Sequence, residues 1–329
     1  MFKRKIGGLL GFLLMVNFLM LIIDVNQGQS QEKYPTRSIE IIVPFAAGGG
    51  QDISARLLSQ FLKTKLGVPV NVLNKPGGNT VPANVELYNA KPDGYTLGLC
   101  QDASNAMLQT LTKGLPFNVL DRTFISAMMK VPHVFTVPSN SPFKRLKDVA
   151  EDAKKDPEHF TWASLGGMSG PDLFLRQFFK AAGVDVLKTK AVMCKGASEA
   201  IVLAAGGNVK LAGTTPTAAK SAISAGTIRP LTVTEDMRAA FPNLPTTSEE
   251  GFPTINHSSW YFVSGPPKLP ANIVAVLSNA LKEISNDPDY ISRVKKIDLV
   301  PFYADSAKTK ENLKNLMAEV SEIYGVKKP

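Results

Sequence analysis

Only two cysteines and three histidines occur in 329 residues, and nowhere do the basic residues gather into a block interleaved with aromatics. Each scarcity removes a class of function. His133, His159 and His257 have no metal-ligand spacing, and two isolated cysteines make no zinc site, so no metal is expected. A net charge of +9 spread along the whole chain argues against nucleic acid as a partner and suits an anionic ligand weakly. The triple glycine at 48–50 is not followed by Gly-Lys-Ser/Thr, so no lysine is placed for nucleotide phosphates. It also lacks the G-x-G-x-x-G spacing and the distal acid of a dinucleotide site, which leaves no cofactor motif. Ser164 lacks the G-x-S-x-G elbow of an α/β-hydrolase. An enzyme is the weakest reading, and the expected protein is non-catalytic. No internal repeat or low-complexity tract is visible.

What the chain does have is concentrated in residues 41–52, Ile-Ile-Val-Pro-Phe-Ala-Ala-Gly-Gly-Gly-Gln-Asp: an apolar strand, a glycine loop and a helix start. A helix N-terminus leaves its first backbone N–H groups unpaired, and with the aligned peptide dipoles these favour a carboxylate or phosphate. Gly48, Gly49 and Gly50 let the backbone take positive φ and let a ligand approach without meeting a Cβ. Ile53, Leu57, Leu58, Phe61, Leu62 and Leu66 recur with the period of one buried helical face, and Asp52 falls in the first turn, where an acid is favourable. A small anion fits this loop better than a nucleotide.

Lys3, Arg4 and Lys5 precede a largely apolar run from Ile6 to Ile23 and a polar stretch to Gln31, the layout of a secretory signal over residues 1–30 with cleavage after Ser30. An uncleaved anchor is the rival reading, because the run is nearly long enough to span a bilayer. Either way the folded part is expected outside the cytoplasm, in the periplasm. In that oxidising compartment Cys100 and Cys194 could form a disulfide or stay as two separate buried thiols; both readings stand.

Strand-like runs at 39–43, 70–73, 96–99, 134–137, 160–163, 209–212 and 231–233 alternate with helical patterns, which predicts an α/β architecture with mostly parallel sheets. About 300 mature residues usually make two domains. Pro138 to Pro142 is a turn-rich break, and prolines 242, 245, 253, 266, 267 and 270 mark a second irregular zone, after which the chain ends in helical patterns. Leu313, Leu316, Val320 and Ile323 fall on one face of the last helix.

The order of short motifs along the chain closely resembles the Bug-type solute-binding proteins of tripartite tricarboxylate transporters. It runs from Tyr34-Pro35 through Leu66-Gly67-Val68-Pro69-Val70, Asn74-Lys75-Pro76-Gly77-Gly78 and Pro92-Asp93-Gly94-Tyr95-Thr96-Leu97. It continues through Phe160 to Ser164, Lys195-Gly196 with Glu199-Ala200, Gly206-Gly207-Asn208-Val209, Arg229-Pro230-Leu231 and Ser258-Ser259-Trp260. The resemblance implies a type II periplasmic-binding-protein fold, with lobe 1 at 34–132 plus 256–329, lobe 2 at 133–255, and two crossing segments as the hinge. A disulfide between Cys100 and Cys194 would then join the lobes.

The same resemblance implies a small organic anion, a carboxylate, held in the cleft between lobes and delivered by a monomer to integral membrane permease subunits. A ligand-sensing receptor that presents the solute to a sensor protein is the alternative. Carried over residue by residue, Phe45, Ala46, Ala47, Gly48 and Gly49 would form the lobe 1 cradle and Asp52 would order it. Ser164, Gly166 and Ser169 would supply the facing wall, where a helix starting near Gly170-Pro171 offers a second N-terminus. Taken alone, Ser164 reads equally as a strand end and Ser169 as a helix cap. Lys195 is either an anion contact or a solvated turn residue, and Trp260 suits hinge or core packing. Thr80, Ser104, Thr214 and Thr215 follow strands or loops near the expected cleft. The chain departs from the family pattern at Met168, Asp172, Met193-Cys194, Lys210 and Asn79-Thr80-Val81-Pro82, departures that bear on which ligand is bound.

Overall fold

A computed structural model describes residues 34–165, 168–234, 237–238, 241–255 and 258–326, so the expected signal segment, Gly166 and His257 lie outside the described residues. The first strand, β1 (Ile39–Val43), buries all its residues but Glu40 and runs through the glycine loop into α1 (Gly50–Leu66). That helix stops where sequence rules place its end: Gly67 takes φ 71° and returns its N–H to the Lys63 carbonyl. Next come β2 (Val70–Asn74), α2 (Val81–Asn89), β3 (Thr96–Gln101), α3 (Asp102–Leu111) and β4 (Thr123–Val131).

Only Pro132 and His133 separate β4 from β5 (Val134–Pro138), which belongs to a different sheet. The second sheet is filled by α4 (Leu146–Lys155), β6 (Thr161–Ser164), α5 (Gly170–Ala181), β7 (Lys190–Met193), α6 (Ala197–Ala205), β8 (Leu211–Thr214), α7 (Pro216–Ser224) and β9 (Ile228–Val233). The chain then returns to the first sheet through β10 (Ser259–Gly265), followed by α8 (Ala271–Ser285), α9 (Pro288–Lys296), β11 (Val300–Ala304) and α10 (Ser306–Ile323). The strand orders are β11-β4-β10-β3-β1-β2 and β7-β6-β8-β5-β9.

The expectation of mostly parallel sheets needs correction. The βα units pair in parallel, β1 with β2 and β3, and β6 with β7 and β8. The strands that arrive from the other sheet run the opposite way: β10 lies antiparallel between β3 and β4, and β5 lies antiparallel between β8 and β9. Alternation of strands and helices predicts only the crossover pairs, because a strand entering from outside the repeat is free to run either way.

Each sheet has its own core. The first packs Phe124 on Phe262 (ring centroids 5.5 Å apart) and is covered by Leu313, Leu316 and Val320 of α10. The second packs Phe135 on Phe174 (4.1 Å) with Trp162, Phe178 and Phe179. Where the chain crosses between sheets, His133 Nε2 and Ser259 Oγ are 3.1 Å apart, and Thr234 N donates to the His133 carbonyl at 3.2 Å. The two crossing segments are thus tied to each other. Cys100 and Cys194 are both buried free thiols. Among the described residues no helix is long and apolar enough to cross a membrane.

Candidate ligand-binding site

A cavity of about 430 Å³ opens between the two sheets. Residues 45–51 and Ile53 form one wall, with Gln101 and Tyr261 from the ends of β3 and β10. Opposite stand Leu165, Ser169 and Pro171, then Lys195 to Glu199, then Thr215, Thr217 and Ala218. The N-terminal ends of four helices, α1, α5, α6 and α7, therefore converge on one space.

Two of those ends are bare. Gly49 stands at the N-cap of α1 and Gly196 at that of α6, and neither has a side chain to take up the first N–H groups. The first closing bonds are Ile53 N to Gly49 O (3.0 Å) and Ala200 N to Gly196 O (3.2 Å). The N–H groups of Gly50 and Gln51 on α1 and of Ala197, Ser198 and Glu199 on α6, all residues that line the cavity, are left for water or a ligand. Each bare end also carries the positive pole of its helix, offset at α6 by the Glu199 carboxylate, which lies in its first turn and lines the cavity.

The α1 loop is held in shape from behind. Gly48, at φ 80°, donates its N–H to Asp52 Oδ2 at 2.9 Å, and Arg56 Nη2 lies 2.9 Å from Asp52 Oδ1. Asn74 donates through Nδ2 to the Phe45 carbonyl at 3.1 Å and accepts through Oδ1 from Arg56 Nη2 at 3.2 Å. Burial by itself would raise the Asp52 pKa, but the hydrogen bonds from Arg56, the Gly48 N–H and Asn74, with the Arg56 charge, outweigh it and hold the carboxyl below its ordinary value. Asp52 stays charged and braces the loop from below without lining the cavity.

The other two ends are already satisfied. Ser169 Oγ caps α5 by accepting from Asp172 N (3.3 Å) and donates its own proton to Asp172 Oδ2 at 2.6 Å. Ser164 Oγ donates to Asp172 Oδ1 at 2.6 Å and Leu165 N to Oδ2 at 3.0 Å, while Gly170 N is taken by Gln101 Oε1 at 3.1 Å. Thr215 caps α7, accepting from Ala218 N at 3.4 Å. Its hydroxyl proton, with the Tyr261 phenol, stays available to the cavity. A Cβ placed on Gly50 would stand 3.7 Å from each of those two oxygens, in ordinary contact, so both hydroxyls lie beside the start of α1. Burial, then the Asp102 charge, pushes the Tyr261 pKa far up, so the phenol is a neutral donor.

Of the residues named from sequence, Phe45, Ala46, Ala47, Gly48, Gly49, Ser169 and Lys195 line the cavity, as does Thr215. Thr80, Ser104, Ser164 and Thr214 do not: Thr80 accepts from Asn84 Nδ2 on α2, and Ser164 is spent on Asp172. Ser169 faces the space but has no proton left to give. The second N-terminus that sequence placed at Gly170-Pro171 is occupied, and α6 supplies the open one. Lys195 is the single cation on the described lining, and its own N–H goes to Glu199 Oε2 at 2.7 Å. Sequence reasoning missed Gln101, which ends β3, and Tyr261, which pairs with it from β10. Among the described residues no cluster of His, Cys, Asp and Glu could hold a metal.

A cavity between the two sheets of an α/β protein is a usual place for a small-molecule site. The model of the tripartite tricarboxylate transporter family receptor matches residues 54–324, and the chain belongs to that family. It is 31% identical over 278 residues to the Cupriavidus necator UPF0065 protein in the gbd 5' region, covering 84% of this chain and 83% of that one. The periplasmic binding protein BugD superposes with a TM-score of 0.79 at 25% identity, over 90% of this chain and all of its own. An R. palustris protein, Rpa4515, described with adipate, superposes with a TM-score of 0.81 at 24% identity, over 89% of this chain and 98% of its own. Family and fold are those of solute-binding proteins, not enzymes.

Proposed function

We propose that the protein captures a small carboxylate between its lobes in the periplasm and delivers it to the integral subunits of a tripartite transporter. The observation that carries this is the pair of uncapped helix N-termini, α1 and α6, facing one cavity from opposite lobes. Backbone N–H groups bind an ionised carboxylate by charge-assisted bonds, roughly twice as strong as neutral ones, and closing the lobes brings both ends onto the ligand. The Tyr261 and Thr215 hydroxyls add neutral donors, and Lys195 adds positive charge. Residues 34–132 and 256–329 form lobe 1 and residues 133–255 form lobe 2, with the His133–Ser259 crossing as the hinge. The amino-terminal 30 residues export the chain, which works as a monomer; the permease partners follow from the family.

The test is a thermal-shift screen of residues 31–329 against mono-, di-, tri- and aromatic carboxylates. A ligand at about 100 times its dissociation constant adds roughly 2.7 kcal/mol of stability, which moves the midpoint clearly. One clear class of hits is expected. A folded protein, free of carried-over ligand, that responds to none of them overturns the proposal.

A further inference from the structure

Seven of the eight arginines among the described residues donate a hydrogen bond to a carboxylate, an amide or a carbonyl. Arg176, on α5, donates none. Its Nε is buried without a partner, and its guanidinium carbon stands 4.8 Å from the Tyr324 ring centroid and 5.5 Å from that of Trp162. Carboxylates are near at hand on α10 but otherwise engaged. Lys180 pairs with Glu322 at 2.7 Å and Gln177 Nε2 donates to Glu319 at 2.5 Å. Arg176 instead borders a second cavity, of about 380 Å³, which shares no residue with the first. Val184, Val186 and Ile323 give it an apolar side with Leu187, 87% exposed, at the rim, while Lys180 and Asp185 add one charge of each sign to the lining. The Tyr324 hydroxyl is also buried without a partner.

A partly desolvated guanidinium without an acceptor is an unfavourable arrangement that a planar oxyanion relieves with two parallel hydrogen bonds. The apolar side chains on one side of it, Val184, Val186 and Ile323, favour an organic acid with an apolar part over a free inorganic anion, whose remaining oxygens would lose water against them without compensation. We propose that this second cavity, between α5 and α10, is a binding site for a carboxylate with a short apolar tail.

Trp162 reports on the site directly, since its ring flanks Arg176, and Trp260→Phe leaves it the only tryptophan. The whole protein in that background is titrated with hexanoate and, separately, with inorganic phosphate. Hexanoate should give a saturable change in Trp162 emission that persists within about twofold when Gly49→Val obstructs the first cavity. In Arg176→Gln the affinity should fall at least about tenfold, with the ligand-free unfolding midpoint unchanged. Arg176→Lys keeps the charge and the stem, guarding against a folding artefact, and should bind several-fold more weakly than the parent. Absence of a saturable signal, or a signal lost in Gly49→Val but kept in Arg176→Gln, overturns the site. Parent-like affinity in Arg176→Lys overturns the role of the guanidinium fork, and a phosphate response equal to that of hexanoate overturns the apolar tail.

Discussion

Tyr261→Phe separates binding from folding, because the two effects have opposite signs. The phenol is almost fully buried, its hydroxyl has no partner within the described protein, and it borders the cavity beside the start of α1. Removing an unpartnered buried hydroxyl while keeping the ring leaves packing intact and lifts a desolvation cost. That cost is about 1–3 kcal/mol for a sealed group and less here, where the cavity admits water, so ligand-free stability should rise by roughly 0–1 kcal/mol. If the hydroxyl donates to a bound carboxylate, the lost bond is to a charged acceptor and is worth about 1.5–3 kcal/mol, a fall in affinity of roughly 10- to 150-fold. Calorimetry with the best carboxylate from the screen gives the second quantity, and thermal unfolding without ligand gives the first. Unchanged affinity would remove Tyr261 from the site, and a stability loss above about 1 kcal/mol would show that the hydroxyl has a structural partner after all.

Asp52→Asn should weaken ligand binding roughly three- to tenfold by loosening the Gly48 loop, at a stability cost of about 1 kcal/mol, since Arg56 is half-exposed and its pairing is screened. The folded pKa of Asp52 lies below its ordinary value of 3.8, so its contribution is complete above that pH and is lost as pH falls through the folded value. Wild-type affinity should therefore show no Asp52 step between pH 5 and 8, and a step that vanishes in Asp52→Asn would refute the assignment. Ser169→Ala removes the α5 cap and one donor to buried Asp172, costing roughly 1–3 kcal/mol in unfolding measurements. Because that hydroxyl's proton is already committed, affinity should move by no more than about twofold; a larger drop in calorimetry would return Ser169 to the ligand. Gly170→Ala forces a Cβ to 2.5 Å from Ser259 Oγ and 2.9 Å from His133 Cε1 at the crossing, with an expected loss of about 1–3 kcal/mol or more. An unchanged midpoint would mean the crossing yields freely.

Local chemistry was legible in the sequence. The glycine loop and the helix that follows it with Asp52 in its first turn depend on residues a few positions apart, and they stand where the pattern put them. Long-range pairing was not. β4 is buried along nearly its whole length and so shows no alternation, and β10 lies inside the proline-rich zone that read as the end of the strands. Tyr261 went unseen because its strand did. The α6 end was missed for a more instructive reason. Helix starts are recognised by Ser, Thr, Asp or Asn at the cap, and those side chains satisfy the N–H groups a ligand would need. Ser169 advertised a helix start that is chemically closed, whereas Gly196, with no cap to notice, marks one that is open.

The same distinction bears on where this chain departs from its family pattern. Asp172 is fully buried behind the wall and gathers the Ser164 and Ser169 hydroxyls and the Leu165 N–H, so the α5 side offers the cavity little donor capacity. Met168 packs across onto the core of the first sheet, Met193 is 63% exposed, and Lys210 pairs with Asp152 at 2.7 Å. None of these side chains lines the cavity. If the proposed function holds, specificity would be set less by which side chains differ than by how Asp172 fixes the position of Leu165 and Ser169, and by the distance between the α1 and α6 ends. Anion recognition through backbone N–H groups tolerates such change: the donors belong to the helix ends, and the residues behind them determine the distance between those ends.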